Sequence, residues 1–182
     1  MIQEFYQKAI KFAGEKHSAQ TVPGTNANYL LHISNVAMEV FVAYSTDPNF
    51  DIGFAIQVAV LHDTLEDTTA DFKELKTEFG EPIAAAVLAL TKDDKLLSKT
   101  ERMTDSLTRI NALQKEVGLV KIADRITNLQ SPPKHWSKDK ITQYCKEAQQ
   151  IALTLQNKNE YLHKRLITKI AAYQKANKLL EE

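Results

Sequence analysis

The sequence predicts an all-α protein, and three observations lead to that prediction. Apolar residues recur every three to four positions over most of the chain, as in helices with one buried face. No segment shows the sustained apolar–polar alternation that marks a half-buried strand. Glycine and proline number only five each among 182 residues, which suits a chain rich in helix formers. We expect one domain over residues 1–182, with its core over about 5–156 and a C-terminal helix over about 159–180.

The first three predicted helices carry the clearest apolar stripes. The first begins at Ile2 and ends near Gly14, and a polar loop over residues 18–28 follows it. The second covers about 29–44 and is apolar on one face. The third, about 52–65, is apolar nearly all round, which is typical of a central buried helix.

Start and stop signals delimit the remaining helices. Residues 68–71 resemble a capping box for a short helix that stops at Gly80. Pro82 sits at a first-turn position and opens the next helix, over 83–90. A charged loop over 91–99 follows. The last predicted helices cover about 100–113, 117–129, 141–155 and 159–180.

Composition excludes several classes of function. The formal net charge is zero and the pI is near 7.0, so no overall field recruits nucleic acid or an anionic membrane. The single cysteine, Cys145, rules out an internal disulfide and a cysteine-based zinc cluster. The N-terminus lacks the apolar stretch of a signal peptide, and no apolar run reaches the roughly 20 residues that span a bilayer. We therefore expect a cytoplasmic protein without nucleic-acid or membrane partners.

The most informative feature is His62-Asp63, which ends the apolar run 55–61 and precedes Glu66-Asp67. Burying a histidine or a carboxylate is costly unless the group is paired or bound to metal. In one continuous helix, His62 and Asp63 point about 100° apart and Glu66 and Asp67 lie one turn further along. This pattern indicates a metal site. The alternative is a hydrogen-bonded core histidine, with acidic residues that merely favour the start of the next helix.

Two other segments carry matching side chains. His32 lies near the start of the second helix, although a partly exposed helical histidine would look the same. In the segment 121–129, one face of the predicted helix is apolar and the other is polar. A solvated surface explains such a polar face, but so does binding of a metal together with phosphate. The polar residues are Lys121, Asp124, Arg125 and Asn128.

Four of these side chains form a set of two imidazoles and two carboxylates from three predicted helices. Nitrogen and oxygen donors without thiolate suit manganese, iron or zinc better than calcium. Such a site leaves positions open for water and substrate. The four residues are His32, His62, Asp63 and Asp124.

The order His, His-Asp, Asp resembles the HD-domain metal-dependent phosphohydrolases. The strings His-Asp-Thr-Leu-Glu-Asp-Thr at 62–68 and Lys-Ile-Ala-Asp-Arg-Ile-Thr-Asn-Leu at 121–129 resemble the (p)ppGpp hydrolase branch. That branch comprises the small alarmone hydrolases and the hydrolase domain of the bifunctional stringent-response enzymes. The similarity covers about residues 5–156.

This resemblance implies removal of pyrophosphate from the ribose 3′ position of (p)ppGpp or a related alarmone nucleotide. It implies that the four-residue set holds one manganese ion, and that Glu66 and Asp67 position or deprotonate the attacking water. It also implies that Arg125 and Asn128 help to fix the nucleotide or its pyrophosphate. Lys121, on the same polar face, is a further candidate for contacting substrate.

The sequence departs from the family pattern in the loop before His32. Family members usually carry a basic pair there, whereas this chain has Gln20-Thr21-Val22-Pro23-Gly24. The substrate therefore stays open, with a phosphatase or nucleotidase for another nucleotide, or a catalytically silent alarmone sensor, as alternatives. Oligomeric state also stays open, a homo-oligomer included. Replacement cations are available at Lys92, Lys95, Lys99 and Arg102, although a solvated charged loop is the simpler explanation of these residues.

Two aromatic side chains have simpler explanations beside functional ones. Tyr144 is a candidate for stacking on a base, but its place in an apolar stripe favours core packing. His17 follows the first helix, where a cation is favourable for the helix dipole, and we assign it no chemistry.

Overall fold

The computed structural model describes residues 1–179, and within them it contains ten helices and no strand. The all-α prediction is confirmed. Leu180, the last residue of the predicted C-terminal helix, lies outside the described residues. In the described part of the chain, no helix has the length and apolar character needed to cross a membrane. The helices are α1 Ile2–Lys16, α2 Leu30–Thr46, α3 Ile52–Leu61, α4 Thr64–Asp67, α5 Phe72–Phe79, α6 Glu81–Leu90, α7 Lys99–Asn111, α8 Lys115–Asn128, α9 Lys138–Thr154 and α10 Glu160–Ala176.

Several of these helices begin at a side-chain cap. Ser98 and Glu101 form a reciprocal capping box at the start of α7. At α5 the predicted cap over 68–71 is wrong in its first residue, because Asp71 is the cap and accepts the N–H of Glu74. The Thr68 hydroxyl instead donates to the carbonyl of Thr64. The helix ends where predicted, at Gly80, whose φ of 87° favours glycine.

Helix α3 is central, as the sequence predicts. Eight of its ten residues are buried, and it packs against α1, α2, α6 and α8. Helix α8 packs against α2, α3 and α10, and every residue from Glu116 to Ile126 is buried. This packing brings the start of α2, the end of α3 and the middle of α8 together.

The predicted continuous helix over 52–65 is wrong, because the chain breaks at His62-Asp63 into α3 and α4. Side chains at the break bond to carbonyls that a continuing helix would use. The His62 Nδ1 contacts the Ala59 carbonyl at 2.8 Å, and the Thr64 hydroxyl donates to the Leu61 carbonyl at 2.7 Å.

Replacing Ile122 by alanine tests how strongly packing of α8 supports this arrangement. Ile122 is fully buried, so the change leaves a cavity beside the helix that carries Asp124. We expect the free energy of unfolding to fall by about 2–5 kcal/mol in urea titrations. Leu153→Ala is the control, since Leu153 is 72% exposed, and it should change stability by less than about 0.5 kcal/mol. Equal losses in the two variants would contradict the packing described.

Candidate active site

Three of the predicted metal-binding side chains converge although they are far apart in sequence. Ligand atoms of His32, His62 and Asp124 all lie within 4.8 Å of one another. His32 comes from the first turn of α2, His62 follows α3 directly, and Asp124 comes from α8. All three residues are buried. The alternative interpretation of His32 as a partly exposed helical residue is therefore wrong.

Asp63 joins the same group. Its Oδ2 lies 2.9 Å from the His62 Nε2 and 3.6 Å from the His32 Nε2. The two histidine Nε2 atoms are 3.2 Å apart, and the Asp124 Oδ1 lies 3.5 Å from the His32 Nε2. Two ligand atoms that each lie about 2.1 Å from one ion are about 3.0–3.4 Å apart. His32, His62 and Asp124 therefore form a possible site for a divalent cation, and the Asp63 carboxylate lies beside it.

Outer contacts hold the four groups in place. The His62 Nδ1 contacts the Ala59 carbonyl at 2.8 Å, which fixes the ring with its Nε2 towards the group. The Tyr29 hydroxyl donates to the Asp63 Oδ2 at 2.5 Å. Asp124 accepts from the Asn128 amide through Oδ1 and from the Lys121 ammonium, at 3.1 Å, through Oδ2.

Opposite charges dominate the electrostatics of the cluster. Burial lowers the pKa of His32, but hydrogen bonds and charges from Asp124 and Asp63 outweigh it and raise the pKa to about 10. Burial raises the pKa of Asp124, but the Lys121 charge and the His32 hydrogen bond hold that pKa below its usual range. The neighbouring positive groups thus stabilise the ionised form of both carboxylates. A divalent cation can replace the positive charge of the imidazoles once these lose their protons.

The predicted catalytic pair lies on α4, directly after the cluster, and each carboxylate has its own partner. Glu66 accepts from the Lys92 ammonium at 2.7 Å and from the Lys92 backbone N–H at 3.2 Å. Asp67 accepts from the Gln20 side-chain amide at 3.1 Å. Partial burial and the charge of Asp63 raise the pKa of Asp67. Both residues lie in the first turn of α4, so the alternative of acidic residues that favour the start of a helix stays open.

The predicted substrate contacts lie in three places: beside Asp124, at the Arg125–Tyr144 contact, and in the loop before α7. Lys121 and Asn128 lie against Asp124, and Lys121 is buried rather than solvated. Arg125 is buried too, with its guanidinium 4.2 Å from the Tyr144 ring centroid.

Arg125 and Tyr144 also contact other side chains of the protein. Glu147 lies 3.6 Å from Arg125, and Tyr144 packs on Trp136 and Tyr173. Lys95 is exposed in the loop before α7. The substrate roles of all five residues stay predictions.

Sequence reasoning missed two polar partners of the site, Tyr29 and Gln20. Tyr29 lies one helical turn before His32, so its spacing could have indicated a contact with the cluster. Gln20 lies in an irregular loop and had no such signal. His17 ends α1 as the sequence predicts, but its burial, at 1% exposed, was not predicted.

Comparisons with known proteins agree with this site. A family model for the HD domain matches residues 9–160. The zebrafish (Danio rerio) guanosine-3′,5′-bis(diphosphate) 3′-pyrophosphohydrolase MESH1 is 32% identical over 164 residues, which cover 87% of this chain and 88% of that protein. A guanosine-3′,5′-bis(diphosphate) 3′-pyrophosphohydrolase of Aquifex aeolicus is 35% identical over 133 residues, covering 70% of this chain but only 18% of that longer protein.

A solved structure shares the fold. It is described as a metazoan ortholog of SpoT that hydrolyzes ppGpp and plays a role in starvation responses. It matches with a TM-score of 0.77 over 97% of both chains, at 24% sequence identity.

Fold and site together define a helical phosphohydrolase with a centre for a divalent metal. The chain belongs to the HD domain family.

Replacing Tyr29 by phenylalanine removes the hydroxyl that donates to Asp63 and leaves the ring in place. We expect Mn²⁺ affinity, measured by electron paramagnetic resonance of the free ion, to fall about 10- to 100-fold. Tyr44→Phe is the control, since the Tyr44 ring packs on Phe50. Unchanged affinity in Tyr29→Phe would show that this hydroxyl does not support the cluster.

Proposed function

We propose that the protein is a manganese-dependent hydrolase that removes the 3′-pyrophosphate from ppGpp or a closely related alarmone nucleotide. One observation carries the proposal: three buried side chains, His32, His62 and Asp124, converge beside the half-buried Asp63, and an acidic pair with fixed partners follows directly. Relatives that match 87% of the chain bear the name of this activity. We further propose that residues 1–182 form a single catalytic domain.

His32, His62, Asp63 and Asp124 would hold the metal ion. When bound, a divalent cation neutralises phosphate charge and lowers the pKa of water in its coordination sphere. The donor set suits manganese, iron and zinc, and the choice of manganese rests on the family resemblance.

The acidic pair would handle the attacking water. Asp67 accepts a proton from the water as its oxygen bonds to the phosphorus attached to O3′. Glu66, already neutralised by Lys92, would orient the same water. The bond from phosphorus to O3′ breaks, O3′ takes up a proton, and pyrophosphate leaves.

A second candidate function is phosphate removal from a different nucleotide. The loop over 18–28 contains no lysine or arginine, and two cations near the centre, Lys92 and Lys121, already pair with Glu66 and Asp124. A site with few unpaired cations suits a substrate with less charge to neutralise. Release of phosphate rather than pyrophosphate from a panel of 3′-modified nucleotides would favour this candidate. Tight nucleotide binding without turnover would favour the silent sensor.

The binding partners, the oligomeric state and the cellular location of the protein stay predictions. We propose a small nucleotide as the only ligand besides the metal. Cytoplasmic location and the lack of nucleic-acid or membrane partners rest on the sequence alone, and a homo-oligomer stays open.

Replacing Asp63 by alanine should abolish pyrophosphate release by manganese-loaded protein, because it removes a metal-binding carboxylate and the acceptor for Tyr29. The measurement is chromatography of nucleotide products from ppGpp. Asp139→Asn, on the exposed first turn of α9, is the control and should retain wild-type rates. A wild-type rate in Asp63→Ala would defeat the proposal.

The double variant Glu66→Gln with Asp67→Asn separates chemistry from metal binding. We expect kcat to fall by about 10²–10⁴-fold, since proton acceptance by the pair is lost, while Mn²⁺ affinity stays at the wild-type value. Stopped-flow turnover and metal titration on the same samples measure both. Retained turnover would mean that the pair has no part in catalysis.

A further inference from the structure

Asp67 stands at the end of a hydrogen-bonded series that starts at a buried histidine. The Asp67 Oδ2 accepts from the Gln20 Nε2 at 3.1 Å, and the Gln20 Oε1 lies 2.6 Å from the His17 Nδ1. His17 and Gln20 both precede α2 and are 50 and 47 positions away from Asp67 in sequence. His17 is 1% exposed. His17 is therefore a buried histidine outside the metal cluster, and Gln20 connects it to Asp67 of the acidic pair.

The chemistry of the groups fixes the direction of these hydrogen bonds. A carboxylate only accepts, so the Gln20 amide must present its N–H to Asp67. Its carbonyl oxygen then faces His17, which means that the His17 Nδ1 carries a hydrogen and donates it. The series therefore runs in one direction, from imidazole to amide to carboxylate.

Backbone and ring contacts tie this series to the metal cluster. The Gln20 N–H donates to the His17 carbonyl and the Gln20 carbonyl accepts the Tyr29 N–H, both at 3.0 Å. The His17 ring stacks on the Tyr29 ring, with centroids 4.9 Å apart and planes at 26°. Tyr29 is the residue whose hydroxyl donates to Asp63. One loop thus contacts both a metal-binding carboxylate and the acidic pair.

We propose that Gln20, oriented by His17, is a positioning residue that holds one oxygen of Asp67 and leaves the other free to take the proton of the attacking water. The inference rests on the proposed function, in which Asp67 is that acceptor. A neutral amide suits this role, because an ammonium in its place would form a stronger, charge-assisted hydrogen bond and make the carboxylate a weaker base. Glu66 has such an ammonium partner in Lys92, so the two carboxylates of the pair are held differently.

The first test replaces Gln20 by methionine, which keeps the length of the side chain and removes the amide. We expect kcat for pyrophosphate release to fall about 10- to 100-fold, as for loss of other orienting hydrogen bonds. KM and Mn²⁺ affinity should not change, because the Gln20 side chain bonds to Asp67 and His17 and not to the metal cluster. The melting temperature should fall, because the buried His17 Nδ1–H loses its acceptor. Gln143→Met, at an exposed glutamine on α9, is the matched control.

Variants of His17 test the second hydrogen bond. His17→Asn places an amide N–H near the position of the Nδ1 donor, whereas His17→Leu removes the donor. We expect His17→Asn to retain more of the wild-type kcat than His17→Leu. Equal kcat in the two variants would show that the donor is not used.

A double variant separates positioning from a merely structural role. In an Asp67→Asn background, Gln20→Met should cause no further loss of kcat, since the carboxylate it positions is gone. An additive loss, or a wild-type kcat in Gln20→Met alone, overturns the inference while the proposed function stands. Failure of the wild-type protein itself to release pyrophosphate contradicts the proposed function and removes the catalytic role of Gln20 with it.

Nuclear magnetic resonance can test the hydrogen bonds of Gln20 without an activity assay. The side-chain amide resonances of Gln20 are identified by their absence in Gln20→Met and should shift in both Asp67→Asn and His17→Leu. Resonances that do not move in either variant would show that the series of hydrogen bonds does not exist.

Discussion

The structure depends on one constraint, the close placement of two buried imidazoles, the buried Asp124 carboxylate and the half-buried Asp63 carboxylate where α2, α3 and α8 meet. Unpaired ionised groups at this position would cost more free energy of desolvation than the net stability of a small domain can offset. Here they compensate one another, with the Asp63 Oδ2 at 2.9 Å from the His62 Nε2 and Lys121 bonded to Asp124. A divalent cation fits the same space, because the distances between donor atoms resemble those around a bound ion.

This constraint accounts for the local irregularities around the site. Helix α3 ends after Leu61, and the Asp63 Oδ2 lies 2.9 Å from the His62 Nε2. The polar face of α8 is buried rather than solvated, since Lys121 serves as a partner for Asp124. Tyr29 covers the cluster from the loop before α2 and donates to Asp63. The acidic pair then follows at once, on α4, with Lys92 and Gln20 as partners.

Much of this could be predicted from the sequence. The apolar periodicity predicted every helix apart from the short α4. The donor types of His32, His62 and Asp124, together with the resemblance to the HD-domain hydrolases, indicated their convergence. The break at His62-Asp63 could not be predicted, because it depends on side chains that compete with the backbone for carbonyls. The role of Gln20 depends on a loop meeting α4 in three dimensions, which no local pattern encodes. The identity of the substrate could not be predicted either, since the basic pair of the family pattern is absent.

The most direct test of the central claim is a crystal structure of manganese-loaded protein with an anomalous difference map. The account predicts one strong peak, coordinated by the His32 and His62 imidazoles and by the carboxylates of Asp63 and Asp124. A peak at another position, or none at these side chains under saturating manganese, would contradict it.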